Sequence, residues 1–113
     1  VAVTIWHNPR CSKSRETLAL LQAHGITPQV RLYLQDAPSR DELAAARTRL
    51  GQPAAALLRW KEADLPAGLT KDAPEAEILA ALAANPRLIE RPLVLTETAA
   101  ALGRPPEAVL AIL

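Results

Sequence analysis

The sequence predicts an α/β fold built on a mixed sheet, and three observations carry that expectation. A β-branched and aromatic run, Val3 to Trp6, leads through a polar loop into a helical pattern and then a second short apolar alternation, which is a βαβ opening. The run Pro92 to Thr96 (PLVLT), the apolar segment Ala99 to Leu102 and a last helical pattern form a ββα ending. Between them, from about residue 39 to residue 85, apolar spacing is mainly helical, interrupted by one irregular stretch.

Each element has its own signal. Val3 to Trp6 is the first strand, and Asn8 and Pro9 mark His7 to Lys13 as a loop. A helix is expected from about Ser14 to His24, with Leu18 and Leu21 on its apolar stripe and Gly25 at its C-terminal cap. Val30 and Leu32 alternate with Arg31 as a second strand after Pro28. Ser39 and Glu42 have the spacing of a capping box, opening a helix that carries Leu43, Ala46 and Leu50 and stops at Gly51. Pro53 starts a short helix through AAALLRW, and Glu62 to Ala73 reads as irregular. Pro74 to Ala84 is helical, with Ile78, Leu79 and Leu82 inward, and Asn85-Pro86 stops it. Pro92 to Thr96 and Ala99 to Leu102 pair across a tight turn, and Pro105 to Leu113 closes the chain as a helix packing Val109, Ile112 and Leu113. The opening strands are expected to be parallel, with a right-handed crossover, and the closing pair antiparallel. That order is the plan of a thioredoxin-like fold with a helical insertion at about 39–85.

The 113 residues suit one domain, 1–113, and half of them are hydrophobic. Trp6, Tyr33 and Trp60 are the only aromatics, so the core must be built from Leu, Ile, Val and Ala. A net charge of +1 gives no bulk field for nucleic acid or a membrane surface. The basic residues also lack the aromatic partners of a single-strand nucleic-acid surface. No run of about 18 uncharged apolar residues is present to span a membrane. The opening VAVTIWHNP, which begins on Val1 rather than an initiator Met, does not read as a signal peptide. A single cysteine, Cys11, cannot form an internal disulfide, and a reducing cytoplasmic home is expected.

The informative stretch is His7-Asn8-Pro9-Arg10-Cys11-Ser12-Lys13-Ser14-Arg15, between a strand and a helix. Cys11 is expected at the helix N-terminus, where unpaired N–H groups and the helix dipole favour an anion and lower a thiol pKa. Arg10, Lys13 and Arg15 precede the first acid, Glu16, and add positive charge. An activated thiol and an oxyanion nest therefore coincide in one loop, as a thiolate attacking an anion requires. Against this stands a buried, inert cysteine, which the polar and basic loop disfavours. A phosphatase-type loop needs wider spacing than Cys11 and Arg15 have, and a two-cysteine redox motif needs a Cys where Ser14 stands. Cys11 with His7 and His24 is too few ligands for zinc, and no metal site is expected.

HNPRCSKSRETL resembles the active-site loop of the glutaredoxin-linked arsenate reductases. ERPLVL around Arg91, LGRPPEAVL around Arg104 and, less strongly, ALLRWKE around Arg59 match further family motifs in the same order. The resemblance runs through nearly the whole chain and implies a short branch of the ArsC-like family. It implies that Cys11 is the nucleophile toward arsenate, that Arg59, Arg91 and Arg104 bind the oxyanion, and that His7 and Ser14 match loop positions that help lower the thiol pKa, with Asn8 and Arg15 as further supporting residues. Guanidinium groups suit that work because they stay charged and bind two oxygens at once. It also implies that Pro92 is the cis-proline of the fold. Reducing arsenate needs two electrons, and with one cysteine the second thiol must come from outside. Glutathione is the expected co-substrate and glutaredoxin the expected partner. No bound cofactor is expected. Ser12 and Lys13 stand where the best-known members have small residues, which leaves the substrate less fixed than the family. A glutathione-linked thiol–disulfide module without arsenate activity, and a non-enzymatic regulator of the Spx type, are the alternatives on the same scaffold; Ser14 removes the two-cysteine switch of the latter.

Overall fold

The computed structural model describes residues 2–62 and 64–113; Val1 and Ala63, the latter within the stretch expected to be irregular, lie outside the described residues. Four short strands form one mixed sheet in the order β2-β1-β3-β4: β1 is Thr4–Trp6, β2 Gln29–Arg31, β3 Leu93–Leu95 and β4 Ala100–Leu102. β1 runs parallel to β2 and antiparallel to β3, and β3 pairs antiparallel with β4. The helices are α1 (Ser12–Ala23), α2 (Arg40–Leu50) and α3 (Glu75–Ala84). Three 3-10 segments, Ala54–Leu57, Pro86–Leu88 and Pro106–Ile112, complete the described elements. This is a thioredoxin-like α/β arrangement in which α2, α3 and two of the 3-10 segments lie between β2 and β3.

Period-two alternation sorts the core into two layers. Ile5 and Val94 face each other in register and pack with Leu21 of α1 and with Val109. On the opposite face Trp6, Leu93 and Leu95 join Leu43 of α2 and Ile78 and Leu82 of α3 in the larger cluster. β2 is the sheet edge, which changes the reading of its alternation: Val30 lies in the row of Ile5 but is 44 % exposed.

The caps follow the sequence signals closely. Gly25, at φ +76°, ends α1 with Ile26 N–H donating to the Leu21 carbonyl and Gly25 N–H to that of Gln22, a Schellman arrangement. Ser39 and Glu42 close a reciprocal capping box on α2, and Gly51 ends it at φ +71°.

Three departures have physical causes. The helix expected through AAALLRW stops at Leu57 because the next residues are claimed by a β-bridge, Leu58 to Ile89. Arg59 N–H donates to Leu88 O (2.7 Å) and Glu90 N–H to Leu57 O. Arg59 therefore follows the bridge residue Leu58, which is extended, and lies outside the helix. The last segment is a 3-10 helix that packs Val109 and Ile112 in the smaller cluster, buries Pro106 and leaves Leu113 46 % exposed. α1 begins at Ser12, two residues before the expected start, so the turn that follows Cys11 is already helical.

Candidate active site

Cys11 is the N-cap of α1, in extended conformation (φ −97°, ψ 122°), and its carbonyl accepts from Arg15 N–H at 3.0 Å. It keeps 7 % of its surface exposed and belongs to neither apolar cluster. The loop before it is held by a short relay. His7 Nδ1 and Ser14 Oγ lie 2.6 Å apart, Asn8 N–H donates to the same Oγ at 3.0 Å, and Arg10 N–H donates to Asn8 Oδ1. His7 and Ser14 are both buried. Burial, with the charge of Arg15 behind it, lowers the His7 pKa, so the ring is neutral at neutral pH.

Burial alone would push the Cys11 thiol up. The backbone N–H of Ser14, the Arg91 guanidinium through hydrogen bonding and charge, and the backbone N–H of Lys13 outweigh it, and the pKa lies below the ordinary thiol value. A hydrogen bond to a charged group contributes about 1.5–3 kcal/mol net. One pKa unit is about 1.4 kcal/mol, so two such donors suffice to reverse a moderate burial penalty. The cationic residues of the loop itself are engaged elsewhere, which corrects the sequence expectation. Arg15 Nη1 donates to the Pro9 carbonyl, Lys13 pairs with Glu16 at 3.6 Å, and Arg10 is exposed. The guanidinium groups at the sulfur come from the far end of the chain.

Arg104 Nη2 approaches Cys11 Sγ at 3.8 Å, and its Nε donates to the Arg91 carbonyl at 2.7 Å and lies 3.1 Å from Glu90 Oε1. Arg91 has a buried Nε with no hydrogen-bond acceptor among the described residues. The peptides Arg91–Pro92 and Arg104–Pro105 are both cis. Gly103 links the two turns: its N–H donates to the Pro92 carbonyl at 2.9 Å, and a Cβ there would meet Thr17 Oγ1 of α1 and lie 2.7 Å from Pro92 Cγ. No side chain fits at that junction.

Arg59 and Arg91 both line a polar cavity of about 100 Å³, together with Asn8, Tyr33, Glu62 and Arg87. Within it Glu62 Oε2 accepts from Arg59 Nη1 at 2.8 Å. A larger groove of about 750 Å³ runs along β2 and Trp6 and includes none of Cys11, Arg59, Arg91 or Arg104. The structure thus brings Cys11, Arg91 and Arg104 together and joins Arg59 to Arg91 across the cavity. His7, Asn8 and Ser14 form the loop's frame, and Arg15 points to the loop backbone. Sequence reasoning passed over Tyr33, Glu62 and Glu90. Tyr33 had a signal: it follows β2, and the carboxyl ends of parallel strands are where such sheets place their sites. Glu62 and Glu90 had only their proximity in sequence to Arg59 and Arg91. No group of three or more His, Cys, Asp or Glu side chains able to hold a metal occurs among the described residues, and no described helix is long and apolar enough to cross a membrane.

A model of the ArsC family matches residues 6–112. An arsenate reductase of Haemophilus influenzae is 44% identical over 100% of both chains. One from Neisseria meningitidis serogroup A is 43% identical, covering 98% of this chain and 97% of its own. The solved arsenate reductase from Vibrio cholerae superposes with a TM-score of 0.88 at 46% identity, over 99% of this chain and 98% of that one.

Proposed function

The chain belongs to the ArsC family, and on that premise we propose that it reduces arsenate, with Cys11 as nucleophile and Arg59, Arg91 and Arg104 holding the oxyanion. One observation carries the reading: a thiol drawn below its ordinary pKa lies beside Arg91, whose buried Nε has no acceptor among the described residues. A buried charged donor left unpaired is costly, and an oxyanion oxygen supplies the missing acceptor.

In this reading the Cys11 thiolate attacks arsenic. A sulfur–arsenic bond forms, one arsenic–oxygen bond breaks, and that oxygen leaves as water after taking up protons. The arginines offset the charge of two anions that would otherwise repel. Glutathione supplies the second thiol. Its sulfur and that of Cys11 finish as a mixed disulfide, their two electrons pass to arsenic, and arsenite departs. Glutaredoxin then attacks the mixed disulfide and restores Cys11. The single cysteine supports an external reductant, because no internal disulfide can form. The same requirement favours a reducing, cytoplasmic setting. His7, Asn8, Ser14 and Arg15 serve as supports of the loop and Pro92 as a structural turn. The whole span 1–113 acts as one domain with its helical insertion. No resident cofactor or metal takes part.

Incubation with arsenate, glutathione and glutaredoxin tests the proposal. Arsenite is expected with the wild-type protein and is expected to fall to the protein-free background with Cys11→Ser. Arsenite no higher than background with the wild-type protein refutes it.

A further inference from the structure

We propose that Tyr33 is an oxyanion-binding residue of this site, its hydroxyl donating a hydrogen bond to a tetrahedral anion held between Arg59 and Arg91. The inference rests on the oxyanion-binding reading above and adds a neutral donor to a cationic site. Tyr33 is 1 % exposed, and it is the only tyrosine in the chain. Buried phenols usually spend their hydroxyl on a backbone acceptor within the core. This one lines the polar cavity shared by Asn8, Arg59 and Arg91. Its ring packs in the larger apolar cluster, so the side chain is fixed at its base and polar at its tip.

The charges around the hydroxyl define its role. Burial pushes the phenol up from its ordinary value against the pull of Arg91 and Arg59 and of a hydrogen bond with the Asn8 side chain at the same cavity wall, and the charge of Cys11 adds to the rise. Tyr33 therefore keeps its proton at neutral pH and can give a hydrogen bond. A tyrosinate there would instead repel the anion. Glu62 already occupies one Arg59 nitrogen, at 2.8 Å, so that guanidinium is not wholly given over to the anion. A rigid neutral donor at the cavity wall supplies one without adding charge that would bind anions indiscriminately.

The test uses inorganic phosphate, a tetrahedral oxyanion that does not oxidise thiols, and follows alkylation of Cys11 by iodoacetamide. Phosphate is expected to slow alkylation of the wild-type protein. Tyr33→Phe keeps the ring and is expected to require about tenfold more phosphate for equal protection, each protein being compared with its own alkylation rate in phosphate-free buffer. Equal protection of both proteins overturns the role of Tyr33 and leaves the oxyanion site standing. No protection of the wild-type protein overturns the site and this inference together. A second measurement needs no substitution. With tyrosine labelled at Cζ the wild-type protein gives one carbon signal from this residue, which is expected to move with phosphate along the curve of Cys11 protection. A signal that stays fixed while Cys11 becomes protected overturns the proposal.

Discussion

Arg59 and Arg91 share a cavity but differ in what they touch, and that difference predicts a split between substrate binding and thiol activation. Arg91 acts on the Cys11 sulfur directly, whereas Arg59 is paired with Glu62 at 2.8 Å and is not among the groups that shift the thiol. Arg59→Ala is therefore expected to raise KM for arsenate about tenfold, the equivalent of one charge-assisted hydrogen bond, and to leave the pH dependence of Cys11 alkylation in place. Steady-state arsenite production and thiol titration on the same variant check this. A shift of the thiol pKa by Arg59→Ala would contradict the division of labour. At this scale the sequence was legible where chemistry and spacing coincide: Cys11 at a strand-to-helix loop is readable because a helix start is a local event. Which cations serve the sulfur was not readable. Arg10, Lys13 and Arg15 are nearest in sequence, yet the sulfur is served by Arg91 and Arg104. Side-chain direction is decided by tertiary packing and not by distance along the chain.

Among the elements, α2 depends on charge as much as on apolar packing. Arg31 at the end of β2 binds the Glu42 carboxylate and Asp36 and lies over the Trp6 ring at 5.8 Å, while Glu42 also closes the capping box with Ser39. Hydrogen bonding from Arg31, with Ser39 N–H behind it, lowers the Glu42 carboxyl to about 2. Its folded pKa is depressed below the unfolded value. The stabilisation is thus complete above pH 4.5 and is lost as pH falls toward about 2. Glu42→Gln is expected to cost about 1 kcal/mol at neutral pH, since the Glu42 carboxylate is exposed although its Arg31 partner is half-buried. The gap to wild type is expected to close through that acid window, as read by urea midpoints. A gap that persists at the acid end would refute the assignment. The capping box was visible in sequence because it is a local rule. The 3-10 ending at Pro106–Ile112 was not, since a spacing of three residues from Pro106 to Ile112 also fits an α-helical stripe at its ends. The early stop after Leu57 came from a bridge to Ile89, a partner far away in sequence.

Across the whole molecule, the site exists only because distant segments converge on the start of α1. Gly103 makes one of these approaches, with no room for a Cβ between Thr17 of α1 and the Pro92 ring. Gly103→Ala is expected to destabilise the protein by about 1–3 kcal/mol through overpacking and to move Arg104 off the Cys11 sulfur. Thermal unfolding and the alkylation rate of Cys11 read the two effects, and a fully stable variant would show that the junction is loose. The proposed activity rests on this convergence, which draws the Cys11 thiol toward its anion beside the Arg91 guanidinium. It is tested most directly by the rate of Cys11 alkylation against pH in wild type and Arg91→Ala. A wild-type midpoint below about 8.5, moving upward in Arg91→Ala, is the expected result. A wild-type midpoint at or above that value, or one indifferent to Arg91, would contradict it.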